Sequence, residues 1–597
     1  MPRASRPTRS SVSPVSSVSP VSSASPVPPV GTGDGTMSKR QVLESLSGLL
    51  LGMFVSILAG TVVATSLPLI VADLKGDQSA YTWVVTATLL ATTVSTPIWG
   101  KFADLFNRKL LIQLALAVFV IGSALAGFSQ DTGTLIGFRV LQGLGAGGLA
   151  ALSQIIMADI ISPRERGKYA GLFGAVMALG TIGGPLLGGV VTDAFGWRWN
   201  FFIALPVAIV AIILLQVTLH LPLRVKHVVR IDYLGAVLIA GGVSLLLIWV
   251  TLAGNQFEWA SVPSFAMVLG AAILLIIAVI VEFKVKEPII PLSLFKNRTF
   301  TLATIASISV GVAMFGTSVF LSQYMQLARG ATPTESGLLT IPMMGGLLIS
   351  STVFGNVISR SGKWKSIMVS GSVLVLAGSL LLGSLRYDTS LVLVGIFMFI
   401  LGTGVGMIMQ NLVLVVQNTI EVSNLGVATS GVTFFRSLGG TVGVSVMGSV
   451  LGTVVAQQIE SGVGKLSAAD RLTAAQTLGD GTIPHVSLLP DALRVLVESA
   501  YGSGVGTVFL IGVPLAAITL VMVALLPNIP LGTMNGIDLA REKATANSRL
   551  VEDAEDTLIE VSGASVALPP VGQAHPTGSI QVIEAPKTET RVSNRRS

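Results

Sequence analysis

Between residues 46 and 526 the chain is a succession of apolar segments, each about as long as a membrane-crossing helix. Crossing the hydrocarbon core takes about 20 mainly apolar residues in helical form, because no water there can satisfy exposed backbone groups. Fourteen segments meet that requirement: 46–73, 80–99, 110–129, 133–158, 166–191, 197–219, 233–253, 264–283, 300–327, 334–358, 365–384, 389–416, 426–455 and 501–526. Composition agrees, with 11% charged residues where a soluble domain carries about 25%. The expected class is an all-α polytopic membrane protein.

Lysine and arginine sort to one side of these segments. With the N-terminus in the cytoplasm, sixteen of them fall in inner loops and seven in outer ones, three of the seven in the long outer segment 456–500. Loops rich in Lys and Arg stay cytoplasmic, so both termini are expected there. The net charge of +7 then encodes topology and does not imply a nucleic-acid partner. Six spans lie in 46–219 and six in 300–526, joined by a linker, 220–299, that holds two more. Residues 1–45 open on Ser/Pro/Val repeats and are expected to be disordered; Met37 begins a stretch leading directly into the first span. The tail 527–597 is polar and expected to be flexible, with at most a short helix near 538–548. Cysteine is absent and the four histidines lack metal-ligand spacing, so no metal site is expected. No nucleophile–base–acid arrangement and no G-x4-G-K-[ST] phosphate loop occur, which excludes an enzyme reading and drive by ATP.

Several motifs sharpen the class. Gly171, Gly180, Gly184, Pro185, Gly188 and Gly189 follow the spacing G-x8-G-x3-G-P-x2-G-G inside one apolar stretch. Glycine costs a soluble helix about 1 kcal/mol against alanine, whereas in a membrane the missing side chains let helix backbones touch. This spacing resembles the antiporter signature on the fifth helix of exporting branches of the major facilitator superfamily. The loop from Gly100 through Asp104 to Arg108 and Lys109 is similar to that superfamily's G-x-L-A-D-x-x-G-R-K signature. Asn107 stands where glycine is usual, and Asn tolerates a left-handed turn. Arg139-x-x-Gln142-Gly143 on the fourth span, the stretch from Trp197 to Pro206, and Arg436-x-x-Gly439-Gly440 on the thirteenth also resemble family motifs. The tryptophans of Trp197-Arg198-Trp199 read chiefly as interface anchors.

The resemblance spans about 46–526 and points to the fourteen-spanner drug:proton antiporter branch (EmrB/QacA type). It implies a major facilitator fold of two six-helix halves plus two inserted central helices, with a substrate cavity between the halves. The implied activity is efflux of hydrophobic or amphipathic compounds from the plasma membrane by alternating access. A proton gradient would supply the energy, without any cofactor, and the protein would work as a monomer among membrane lipids. In this reading Gly100, Asp104, Arg108 and Lys109 are the gating residues, with Asp104 and its partner Arg108 latching the inner gate against a helix N-terminus of the other half, while Arg139, Gln142 and Asp159 are coupling candidates. Arg139 lies only a few residues inside its span and could instead reach the outer interface. Arg436 is a further charge inside a span that needs a partner or a cavity.

One departure from the pattern matters. The branch commonly carries Asp in its first span at the position of Ala59, and Ala59 cannot hold a proton. The acids Asp73, Asp159, Asp193 and Glu282 all fall at span ends. Polar residues at helical spacing suggest a cavity lined by Thr61 and Thr65, Gln323 and Tyr324, and Gln410, Asn411 and Gln417; hydrogen bonding between helices would produce the same pattern. Export of a lipid or envelope component, with the outer segment extending a lipid path, is a second expectation. A non-transporting scaffold or sensor is a third, which the intact gate motif argues against.

Overall fold

The computed structural model describes residues 39–539 apart from 76–77, 220, 222–231, 255, 286, 332, 465, 468–469, 472–473 and 475–488, together with isolated positions beyond 540. The N-terminal repeats, much of the outer segment and nearly all of the tail lie outside the described residues. So do the side chains of Thr65, Pro185 and Asp193.

The described residues form fourteen long helices. The first six are α1 (Lys39–Asp73), α2 (Gln78–Leu105), α3 (Arg108–Gly127), α4 (Thr132–Ile160), α5 (Pro163–Phe195) and α6 (Trp199–Thr218, interrupted at Ile203). An inserted antiparallel pair follows, α7 (Tyr233–Leu252) and α8 (Val262–Lys284). The last six are α9 (Arg298–Gln323), α10 (Ile341–Ser361), α11 (Trp364–Leu382), α12 (Leu391–Gln417), α13 (Leu425–Val463) and α14 (Asp491–Leu525). Thirteen of them are long and apolar enough to cross a membrane. The other is α2, which has the length at 28 residues but carries six threonines and Pro97. Backbone absorbs hydroxyls of this helix: Thr92 Oγ1 donates to the Gly143 carbonyl of α4 and Thr96 Oγ1 to that of Thr92.

Helix starts follow local chemistry. Four amides at a helix N-terminus lack intrahelical acceptors. Asn107, Asp131, Asp232 and Asn297 each supply a side-chain oxygen to them at the heads of α3, α4, α7 and α9. Asn107 is therefore a cap with φ −66°, and the left-handed turn expected there does not form. A cap needs an extended backbone and a short polar side chain, which Asn supplies and glycine would not.

Each half has its own apolar core. Leu49, Ile112, Phe119, Leu149 and Ile155 pack inside α1–α6, and Phe300, Trp364, Met398 and Leu412 inside α9–α14. The inserted pair lies against α2 and α13: Val94, Ile239, Val243, Leu247, Ala278, Ile289 and Phe434 form one cluster. α8 buries only Ser264, Ala271, Ala278 and Glu282, a single stripe, while Val262, Phe265 and Phe283 point outward. A helix apolar all round with so narrow a contact is suited to a lipid-facing position.

Candidate functional site

The loop between α2 and α3 builds a charged latch at one end of the bundle. Asp104 accepts from the Gly426 amide at 2.8 Å and the Val427 amide at 2.9 Å, both in the first turn of α13. Amides in a first helical turn have no intrahelical acceptor, and the helix dipole favours an anion there. Arg108 donates to Asp104 Oδ1 at 3.1 Å through Nη2, to Asp159 Oδ2 of α4 through Nη1, and to the Ala103 carbonyl through Nε. Asp104 and Asp159 side chains are 3% and 4% exposed. Buried charges hold together only when each is paired and hydrogen-bonded, and here one arginine answers two carboxylates. Gly100 supplies the close approach, since a Cβ there would overlap Ser430 and stand 2.9 Å from the Gly426 carbonyl. Asp159 thus belongs to the latch. Lys109 does not: its Nζ donates to the Gln216 carbonyl of α6 in the same half.

A second seam closes the same end between α5 and the α10–α12 side. Arg166, buried, donates to Gln417 Oε1 and to the Ala158 and Ile161 carbonyls. Gln417 Nε2 reaches Thr429 Oγ1 at 3.0 Å. A Cβ at Gly167 would overlap the Gly355 carbonyl of α10. Gln417, expected in the substrate cavity, therefore lies in this seal. Gln410 and Asn411 line a small void beside it with Gln154 and Arg166, and Asn411 Nδ2 is taken by the Met407 carbonyl of its own helix.

Residues 527–539, expected to be flexible, run across this end as an ordered strap. Trp364 Nε1 donates to the Ile529 carbonyl, and Asn418 brackets Pro530 and Gly532. The Arg164 amide then donates to the Gly532 carbonyl, and Ile537 enters the core of the first half. The tail as a whole is polar, but this stretch makes most of these contacts through its backbone and buries Leu531 and Ile537, which the composition of the whole tail does not report.

The remaining sequence candidates divide by location. Arg139 is buried, with Nη1 on Gln142 Oε1 at 2.8 Å and Nε on the Val84 carbonyl at 3.2 Å, so it does not reach out to an interface. Arg436 is buried and its Nη1 lacks a hydrogen-bond partner among the described residues. Gly180, Gly184 and Gly188 face Ile57, Thr61 and Val62 of α1, whereas Gly171 faces Thr352 of α10 in the other half. A Cβ at Gly189 would meet nothing within 4 Å among the described residues. Thr61 Oγ1 donates to the Gly180 carbonyl at 2.9 Å, which places Thr61 at a helix contact and not on an open cavity. Tyr324 is fully buried in the second-half core with its hydroxyl on the Arg386 carbonyl, and Gln323 Oε1 next to it is buried without a partner among the described residues. Trp197 is buried with its indole on Asp73, and only Trp199 of the pair faces outward.

A cavity of about 280 Å³ lies between the halves and the inserted pair. Leu89, Leu90 and Thr93 of α2, Thr251 of α7, Phe315 and Val319 of α9, and Thr441 and Ser445 of α13 line it. Its walls are mainly apolar with scattered hydroxyls. None of the expected cavity residues is among them. The signal was present in the threonines of α2 at 86 and 93 and the hydroxyls of α13 at 437, 441 and 445, each set on one helix face.

Comparison with known proteins places this architecture. The sequence profile described as Major Facilitator Superfamily matches residues 49–444. The chain belongs to the major facilitator superfamily. The superfamily relatives include the multidrug transporter protein MdtP of Bacillus subtilis (strain 168), 38% identical over 70% of this chain and 76% of the relative. Another is multidrug resistance protein 3 of the same organism, 34% identical over 79% of this chain and 93% of the relative. Among solved structures, the human organic anion transporter MFSD10 (TETRAN) shares the fold with a TM-score of 0.53 at 14% identity, covering 80% of this chain and 99% of that one. The chain is a multi-pass membrane transporter of this superfamily.

Proposed function

We propose that this protein exports hydrophobic or amphipathic small molecules by alternating access, as a multidrug efflux transporter of the fourteen-spanner drug:proton antiporter branch. The observation that carries the reading is the pairing of an apolar, hydroxyl-dotted cavity between the halves with a fully formed charged latch at one end. Such a wall suits bulky amphipathic molecules, which need apolar area and a few orienting hydrogen bonds. The names of the relatives support the same substrate class. The latched end is the cytoplasmic one, both termini lie on that side, and the membrane is the plasma membrane; the basic loops support this orientation. Substrate binds with the latch open, and latching returns the cavity to the outside. A proton gradient drives the cycle, and a monomer is sufficient.

The test is efflux of a panel of dyes and antibiotics from cells expressing the protein, followed by the purified protein in proteoliposomes. Accumulation should fall on expression and recover when a protonophore collapses the gradient. Transport that persists in vesicles without a proton gradient would remove the coupling, and absence of efflux across the panel would remove the substrate class.

A further inference from the structure

The inserted pair carries buried chemistry that neither latch nor cavity uses. Asp232 caps α7 and Glu282 ends the buried stripe of α8, and each residue is 6% exposed. The two carboxylates converge on Gly235: a Cβ there would overlap Asp232 Oδ2 and stand 3.0 Å from Glu282 Oε1. Asp232 Oδ1 accepts the Gly235 amide at 2.8 Å. Glu282 accepts the Ile289 amide at 3.1 Å on Oε1 and the Ile290 amide at 3.2 Å on Oε2. Asp232 Oδ2 alone is buried with no partner among the described residues.

The charged groups that act on Glu282 are Asp232 and Lys101 of α2, and Lys101 is already paired with Glu287 at 2.7 Å. Lys284 of α8 is exposed, and α13 contributes Phe434 and Phe435 to this region, which carry no charge. Two ionised carboxylates facing the same glycine in such surroundings repel each other, and one proton between them removes the repulsion. That proton also gives the orphaned Asp232 oxygen a hydrogen to donate. A metal ion fits poorly, because the other three carboxylate oxygens already accept amides and a hard cation needs about six oxygen ligands.

We propose that Asp232 and Glu282 form a proton-binding site, sharing one proton while the latch is closed and releasing it to water on the latched side as the latch opens. The connection is short. The Ile289 and Ile290 amides held by Glu282 belong to the loop bearing Glu287, whose partner Lys101 follows the latch residue Gly100. At its other end the pair is tied to α13 by Trp259 Nε1 on Ser449 Oγ at 2.9 Å. The pair thus touches one latch helix from each half. Loss of the proton repels the carboxylates, loosens the loop and frees Lys101. This reading stands without any assignment of substrate.

The absence of cysteine allows a clean test in purified protein without substrate. Spin labels at Arg40→Cys and Ser361→Cys, one on each half at the latched end, report the separation there. In the otherwise native protein the open-to-closed ratio should rise with pH, by up to about tenfold per unit for one linked proton. Asp232→Asn, which keeps the cap through Oδ1 and places an amide nitrogen where the protonated oxygen stands, should stay closed across the same range. Glu282→Gln, which can accept only one of the two loop amides, should instead lose the pH dependence without staying closed. A pH response equal to the parent's in either folded variant overturns the proposal, as does a parent that ignores pH or follows sodium at fixed pH. Infrared spectra of the wild type need no variant: the carbonyl band of a protonated carboxyl should be present with the latch closed, and its absence also refutes the site.

Discussion

Neutralising Asp104 tests the latch most directly. Its carboxylate accepts two α13 amides and one Arg108 nitrogen in a buried setting. In Asp104→Asn the amide oxygen can keep one α13 amide, while its NH2 faces the other and leaves it unpaired. Hydrogen bonds to charged groups contribute about 1.5–3 kcal/mol, and a buried donor without an acceptor costs about 1–3 kcal/mol. Arg108 keeps Asp159, so that pairing is not lost. In the unlatched state Asp104 meets water, and the substitution costs little there. The closed state should therefore weaken by about 3 kcal/mol relative to the open one, roughly a hundredfold in population at 1.4 kcal/mol per decade. Distance measurements between labels at Arg40→Cys and Ser361→Cys would read the shift, and efflux should fall with it at equal expression. An unchanged distance distribution in a folded Asp104→Asn protein would refute the latch as the closing device.

Other substitutions probe the same contacts. Gly100→Ala should also favour the open end, because its Cβ would overlap Ser430; normal efflux with a normal distance distribution would count against the close approach. Gly184→Val should lower thermal stability in detergent, since it intrudes on Thr61, whereas Gly189→Ala should leave the melting temperature nearly unchanged because none of the described residues lies within 4 Å of the added carbon. Ile537→Asp should detach the strap and weaken closure, read by faster proteolysis of the C-terminal segment. Asp131, at the head of α4, is held below the usual carboxylate range by the Thr134 amide and hydroxyl. Its capping contribution is present above the unfolded value near 3.8 and is lost as pH falls through the lower folded value. The melting difference between wild type and Asp131→Ala should accordingly shrink towards zero on acidification, and a difference that grows would reverse the assignment.

Much of the latch was legible in the sequence because its parts are adjacent: Gly100, Asp104 and Arg108 lie within one loop and its flanking turns. Asp159 was legible as an acid at a span end and a coupling candidate but not as a member of the latch, since its pairing with Arg108 bridges 51 positions. The cavity was the weakest reading. Thr61, Gln417 and Tyr324 are polar residues in apolar helices, but hydrogen bonds to carbonyls, Arg166 and Arg386 absorb them. Periodicity identifies a face of a helix without saying whether protein, cavity or lipid lies against it.

The sequence by itself determined the solvent, the series of apolar segments and the expected orientation. Hydrocarbon requires every backbone group to be satisfied locally, so apolar length and flanking charge read almost directly as spans and sides. Only the tertiary structure decided which helices meet. It sent Gly171 to the opposite half and Gly184 to α1, drew residues 527–539 across the latched end, and brought Asp232 and Glu282 together against α2. Those outcomes depend on contacts between residues far apart in the chain, where small-residue packing and burial of charge decide the partner and local pattern carries no record of it.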